Sequence, residues 1–459
     1  MQEWKHKTKL RVRIALLVIL FFPMPQQFFR IVKIKPLRGA IENREASKLT
    51  FESWFDESFQ IDWEAFMNQH FGFREVCVRI HNQIDYSLFN RINARSAIFG
   101  KENYLYEENY IKAYLGTDYV GNKKIQEDMY RLLRVRDTLM KQGKNIMVVF
   151  APGKGSFFPE YIPDSFTKQK KTQTNYAEYA KALKQAGIDF LDINQWFIQM
   201  KPNSPYPLYG KCGVHWSLYG EALAADTMIA FMNKTYGYHL PDLIIDTVKW
   251  EDKNRGGDYD MGDGLNMIFH LNTYPMGYPE FHFKRDTFTD SPKVMVMADS
   301  YYWGMYNFGM TDQVFGNGQF WYYNNEIYSK AWDKPLRLFD AEILDELNKH
   351  ELIVILQTDA GLHRMSYGLI ENLYDAYFTT DPTKSSVKKI RVAYIRKRLS
   401  ESPKWITKLT QQAAREHITL EEKIKAFAEF LVWRERNGDP VPADYMEGVL
   451  QMKKNYVER

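Results

Sequence analysis

The sequence predicts an α/β fold, a largely parallel sheet flanked by helices, with an amino-terminal membrane anchor and a carboxy-terminal helical tail. Two observations predict the sheet. Four short, nearly continuous apolar runs stand out: NIMVVFAP after Lys144, IDFLDI after Gly187, KVMVMA at 293–298 and ELIVIL at 351–356. A strand apolar along its whole length has to be covered on both faces, which is the condition of a parallel sheet between helix layers. Amphipathic helices also precede the first two runs. Ile125, Met129, Leu132 and Leu139 mark one that ends at Gly143, and a second, around Tyr176 to Ala186, ends at Gly187.

The anchor rests on charge followed by hydrophobicity. Lys5, Lys7, Lys9, Arg11 and Arg13 stand directly before IALLVILFFPMP. A cationic flank leading into an apolar core is the layout of a secretory signal or signal-anchor. The uninterrupted run Ile14–Phe22 is short for a bilayer span, and through Pro23 and Met24 it can extend toward QQFF with kinks. No small-residue cleavage site follows, so an uncleaved anchor over residues 1–33 is expected, with the rest of the chain exported. Residues 34–120 read as a connecting region, irregular or edge structure through KPLRGAIENREASKLTFESWFDESFQ. It then turns helical through DWEAFMNQHFGFREVCVRIHNQIDYSLF, with a break near Gly72. Residues 121–385 form the α/β domain. Residues 386–459 begin basic and become amphipathic, with Ile406, Leu409, Ala413, Ile424, Phe427 and Leu431 marking apolar faces.

Composition excludes several classes. A chain of 459 residues holds two or three domains with full cores. The formal charge of +4 comes without a basic stripe interleaved with aromatics, so no nucleic-acid partner is expected. Only Cys77 and Cys212 are present, too few for a zinc cluster or a disulfide framework. Neither His270 nor His282 has a ligand partner at metal-binding spacing. The Asp-rich stretch NRGGDYDMGDGLN lacks the closing glutamate of a calcium loop. No metal or cofactor is expected.

In parallel sheets the active site lies beyond the carboxyl ends of the strands, so the residues just after each strand are the ones to read. These are Lys154 in APGKGSFFPEYIP, Asp192, then Asp299 and Ser300 before YYWGM, and Thr358 with Asp359. A serine there can stand exposed at the sheet edge with backbone N–H groups beside it to hold an oxyanion. Elsewhere, GVHWSLYGEALAADTM places His215 and Trp216 where a turn passes into a helix that Ser217 can cap. A histidine at that junction stays neutral beside the positive helix end, as a general base requires.

Three stretches in this order, VVFAPGKGSFFPEYIP, GVHWSLYGEALAADTM and VMVMADSYYWGM, resemble the AlgJ/AlgX-type SGNH-hydrolase-like proteins, which O-acetylate exported polysaccharides. The resemblance covers roughly residues 35–380, and the histidine block precedes the serine block as in that permuted group. It implies an SGNH-hydrolase-like sheet, with Ser300 as nucleophile and His215 as base. It also implies a polysaccharide acceptor, a membrane-bound O-acyltransferase as acetyl donor, and a place on the periplasmic side of the inner membrane. The family pattern has Asp two residues before the histidine; here that position is Gly213. Candidate substitute acids are Asp192, Asp258, Asp260 and Asp263. Asn317 is a candidate oxyanion donor, and Trp216, Lys154, Trp321 and Tyr322 are candidates for substrate binding. Polysaccharide O-acetyl transfer through an acetyl-serine is the expected function. An esterase or deacetylase, or a non-catalytic glycan-binding or scaffold subunit of an acetylation complex, is the alternative.

Overall fold

The computed structural model describes residues 2–39, 47–94, 97–168, 170–338, 341–378 and 388–436. They divide into two compact units, one of residues 1–99 with 259–272 and one of residues 100–258 with 273–459.

The second unit is built on a seven-stranded sheet. Its strands, with those of a separate two-stranded ribbon, are β1 (Asn145–Ala151), β2 (Asp189–Asp192), β3 (Asp242–Glu251), β4 (Met276–Lys284), β5 (Val294–Ala298), β6 (Gln319–Tyr322), β7 (Glu326–Tyr328), β8 (Leu336–Arg337) and β9 (Leu352–Thr358). The sheet order is β8-β7-β6-β5-β9-β1-β2, and β3 pairs with β4 as the antiparallel ribbon. The five strands from β6 to β2 run parallel, and β7 and β8 extend the β6 edge antiparallel.

The reason for the apolar strands is visible in the layers. Helices Asn122–Lys141, Asn175–Gln185 and Leu369–Phe378 cover one face. Ile125, Leu132, Val135, Leu139, Tyr179, Leu183 and Leu373 pack there on Val148, Phe150, Met295, Met297, Ile353 and Ile355. The alternate residues Met147 and Val149 are equally buried and point to the other face, where helix Ile193–Met200 packs against β1. Gly143 and Gly187 end their helices in the left-handed conformation, at φ 72° and 62°, which L side chains adopt at a cost.

The four sequence-predicted strands are β1, β2, β5 and β9. Strands β6 to β8 and the ribbon were not predicted because they are short or half-exposed and lack a continuous apolar run. Residues 100–115, expected in the connecting region, pack in the second unit instead, where Leu105, Tyr106 and Ile111 are wholly buried. The tail forms helices Lys388–Glu401, Pro403–Glu416 and Leu420–Arg436. These close on a small core of their own, with Ile395, Leu399, Trp405, Leu409, Ala428 and Leu431 inside. Residues 437–459 of the expected tail lie outside the described residues.

In the first unit, Gln2–Phe21 and Pro23–Phe29 are helical, and Thr8–Phe29 is long and apolar enough to cross a bilayer. Helices Ser58–His70 and Arg74–Phe89 flank the expected break at Gly72. Residues 51–55, expected to be irregular, form one helical turn, locked because Thr50 and Ser53 cap one another reciprocally. Residues 40–46 of that stretch lie outside the described residues.

Candidate active site

Strand β5 delivers Ser300. The chain leaves the sheet at Ala298, and Asp299, 2% exposed, sets the path beyond it. One of its oxygens accepts the N–H of Tyr301 at 3.1 Å and so caps the turn Ser300–Tyr302. The other accepts the N–H and the hydroxyl of Thr358, each at 2.9 Å, and the Tyr367 hydroxyl at 3.3 Å. Asp299 thus staples the ends of two neighbouring strands beneath Ser300. Burial raises its pKa, and the bonds from Thr358 and Tyr301 oppose that rise.

Helix Leu218–Tyr236 delivers His215. Ser217 caps it, accepting the Gly220 N–H at 3.0 Å, as the sequence predicts. His215 Nε2 lies 2.9 Å from Ser300 Oγ, the contact a general base needs to take the hydroxyl proton. Two further bonds lock the loops together: the Tyr301 hydroxyl donates to Val214 O at 2.6 Å, and Trp216 Nε1 donates to Tyr301 O at 3.2 Å. Trp216 is buried by that role. Lys154 is wholly buried; its ammonium donates to the carbonyls of Lys211 at 2.8 Å and Gly213 at 2.5 Å. The substrate contacts expected of these two residues are therefore corrected to bracing of the histidine loop.

Gly213 has a steric reason. A Cβ there would stand 2.0 Å from Gly257 O and 2.9 Å from Asp258 Cα. The turn Gly256–Asp258 fills the space that an aspartate side chain at 213 would take. The same turn passes behind the ring, since a Cβ on Gly257 would lie 4.0 Å from His215 Nδ1. Asp258, next in the chain, is 2% exposed and shares a hydrogen bond with Tyr278, whose hydroxyl also accepts the Arg255 N–H at 2.9 Å.

Of the other acid candidates, Asp192 stands elsewhere. Asp192 ends β2, three strands from β5 and so about 14 Å across the sheet. It caps the next helix through Gln195 N–H at 3.0 Å and accepts the Tyr176 hydroxyl. Asp260 and Asp263 belong to the first unit, where Asp263 pairs with Arg38 and Asp260 accepts the Met261 N–H at 2.6 Å. Asn317 is exposed at the amino end of β6, whereas Ser300 follows the carboxyl end of its parallel neighbour. Five strand residues, about 16 Å, separate the two levels, so Asn317 is not an oxyanion donor. Trp321 is wholly buried in the core with its N–H on Gln319, which corrects its reading as a sugar platform. Tyr322 is half-buried edge-on to Trp303 at 5.3 Å. Burial pushes the Cys212 thiol up to about 11, the wrong direction for a thiolate nucleophile.

Two residues at the site, Glu221 and Tyr323, were not predicted from sequence, and a third, Asp359, was singled out only as a strand-end residue. Glu221, one turn into the His215 helix, is buried and accepts the Met305 N–H at 2.9 Å. A Cβ on Gly304 would overlap its carboxylate at 2.0 Å, so Gly304 is what lets the serine turn close on it. Burial pushes Glu221 up to about 8, with His215 pulling the other way. Tyr323 follows β6 at φ 48°, a conformation rare for a bulky residue, and its hydroxyl meets the side chain and amide of Ser300. Asp359, after β9, is buried beneath Gly153; it accepts the Ser156 hydroxyl, and burial pushes it up to about 7. Spacing betrays neither Glu221 nor Tyr323, since a glutamate in the first turn of a helix is the ordinary preference there. Among the described residues no group of three or more His, Cys, Asp or Glu side chains is placed to hold a metal ion.

A Ser–His pair on a strand-end turn is an arrangement that can carry acyl transfer. Residues 97–270 match the family described as "SGNH hydrolase-like domain, acetyltransferase AlgX". A "Probable alginate O-acetylase AlgJ" of Pseudomonas syringae pv. tomato is 22% identical over 165 residues, 36% of this chain and 40% of that one. Its namesake in Pseudomonas putida is 20% identical over 168 residues, 36% of this chain and 41% of that one. The matched stretch thus spans about two-fifths of the length of these curated relatives. Among solved structures, the O-acetyltransferase domain of Pseudomonas putida AlgJ shares 15% identity at a TM-score of 0.38, covering 61% of this chain and 99% of that one. Pseudomonas aeruginosa AlgX shares 16% at a TM-score of 0.39, covering 63% and 71%. The family match falls on the half of the site that carries Lys154, His215 and the Asp258 turn, and over that stretch the chain is similar to the AlgJ/AlgX-type SGNH-hydrolase-like proteins.

Proposed function

We propose that this chain transfers acetyl groups to hydroxyls of an exported polysaccharide, facing the periplasm from an anchor in the inner membrane formed by Thr8–Phe29. The observation that carries this reading is the 2.9 Å approach of His215 Nε2 to Ser300 Oγ at the carboxyl edge of a parallel sheet. Ser300 Oγ attacks the carbonyl carbon of the acetyl donor while His215 Nε2 takes its proton. The tetrahedral oxyanion collapses, the donor oxygen leaves with the proton returned by His215, and the acetyl group stays on Oγ. A sugar hydroxyl then gives its proton to His215 and takes the acetyl group, restoring Ser300. The Ser300 N–H holds the oxyanion, and the Tyr323 hydroxyl beside that amide either yields the place or donates a second hydrogen bond.

In place of residue 213, the turn after Gly257 supplies the acid that orients His215. Asp258 is its buried carboxylate. A membrane-bound O-acyltransferase delivers the acetyl group, in keeping with the family resemblance. The test is direct. The full chain in detergent is incubated with p-nitrophenyl acetate and examined by intact mass for one added acetyl group, with Ser300→Ala and His215→Ala alongside. An adduct on the wild type alone, chased off by oligosaccharide acceptors, is the expected result. Loss to water at the same rate with and without sugar makes the chain an esterase. No adduct with either this donor or the acyl-loaded membrane partner leaves a scaffold role.

A further inference from the structure

An aromatic surface in the first unit has no part in this chemistry. Leu49, Phe51, Trp54, Phe55, Ile61 and Trp63 are all exposed, Phe51 at 82% and Phe55 at 69%. The capped turn Phe51–Phe55 and helix Ser58–His70 present them. The rings run on as a stripe: Trp54 to Phe59 at 6.2 Å, Phe59 to Trp63 at 5.6 Å, Trp63 to Phe66 at 5.6 Å. Contiguous exposed rings of this kind mark a surface that something apolar covers.

The same unit holds the apolar helical segment, and its contacts say where the stripe lies. Thr8–Phe29 has 22 residues, about 33 Å of helix, which matches a bilayer core. The carboxyl end of that segment is seated on the Gly72 junction. Phe22 stacks on Phe73 at 5.0 Å, a Cβ on Gly72 would meet Pro23 O at 2.0 Å, and Gln27 Nε2 donates to Met67 Sδ at 4.0 Å. Met67 lies on the stripe helix eight residues past Phe59, about 12 Å along its axis. The stripe therefore begins within a turn or two of the place where the apolar segment ends.

We propose that the Phe51–Trp63 surface lies in the headgroup–acyl boundary of the bilayer that Thr8–Phe29 crosses, a second attachment that holds this unit against the membrane. The proposal rests on the anchor reading above. Tryptophan and phenylalanine favour that boundary, which takes in the apolar face of an interfacial helix. Glu52, Asp56, Glu57, Asp62 and Glu64 are interspersed along the stripe, so the surface suits zwitterionic lipid and is repelled by anionic lipid.

The test uses the full chain with Cys77→Ser and Phe55→Cys, labelled at position 55 with an environment-sensitive dye, since the remaining Cys212 is buried. It is reconstituted into phosphatidylcholine vesicles and floated. Headgroup-nitroxide lipid should remove about half of the emission or more, as expected for a group at that depth. Trp54→Glu with Trp63→Glu should abolish the quenching while the chain still floats, and added phosphatidylglycerol should weaken it at low salt. A chain that floats with an unquenched label overturns this proposal and leaves the anchor standing. A chain that does not float overturns both. Emission that instead tracks protein density in the vesicle assigns the stripe to a second copy of the chain.

Discussion

Replacing Glu221 with glutamine separates the cost of its buried charge from the use of its hydrogen bond. Its ordinary carboxyl value of 4.5 rises to about 8 in the fold, chiefly through burial. A group whose folded pKa is raised contributes stability that is fully present below the unfolded value and is lost as pH rises through the folded one. The window here runs from 4.5 to about 8, and at 1.36 kcal/mol for each pH unit the wild type loses about 5 kcal/mol across it. The glutamine side chain does not titrate and still offers an oxygen to the Met305 N–H. Near pH 5 the two proteins should be close in stability, the glutamine being weaker by the ~1 kcal/mol of an altered hydrogen bond. At pH 9 the variant should be the more stable by several kcal/mol. Denaturant unfolding followed by tryptophan emission at pH 5, 7 and 9 reads the difference, and comparing the two proteins cancels Asp359, which titrates in an overlapping range. A stability gap that does not change between pH 5 and pH 9 would refute the assignment of Glu221 as a carboxyl held neutral at the base of the site.

Other outcomes rest on the same contacts. Gly213→Asp restores the family residue but drives its side chain into Gly257 O and Asp258, so turnover of an acetyl ester should fall at least tenfold; a rise would mean that the turn yields. Asp258→Asn, if this carboxylate orients His215, should cut kcat by about 10³–10⁴ with little change in KM. Asp192→Asn should leave kcat unchanged and lower stability by about 1 kcal/mol or less, as a helix cap that keeps its oxygen. Lys154→Met strands two buried carbonyls, those of Lys211 and Gly213, at about 1–3 kcal/mol each, and should lower the melting temperature and kcat together; a pure KM effect would return Lys154 to substrate binding.

The sequence by itself determined the parts whose signal is local. Strands β1, β2, β5 and β9 are legible because burial on both faces demands unbroken apolar runs. Their helices are legible because Gly143, Gly187 and Ser217 mark ends through backbone conformation and capping. Ser300 and His215 stand out because one follows a strand and the other precedes a helix, and because their order along the chain resembles the permuted family pattern. Tertiary structure alone decided what those two residues have around them. Gly213 reads as a loss until Gly257 and Asp258, more than forty residues on, are found to occupy its space. Lys154, Trp216 and Trp321 read as binding groups because lysine and tryptophan suit sugars. Their burial depends on carbonyls and helices brought from elsewhere in the chain. Asn317 fails for a similar reason: strand direction and register fix which end of the sheet a loop occupies, and both are set by pairing between distant segments. Glu221 and Asp359 take their raised pKa values from neighbours that converge only when the sheet closes, so no local pattern encodes them.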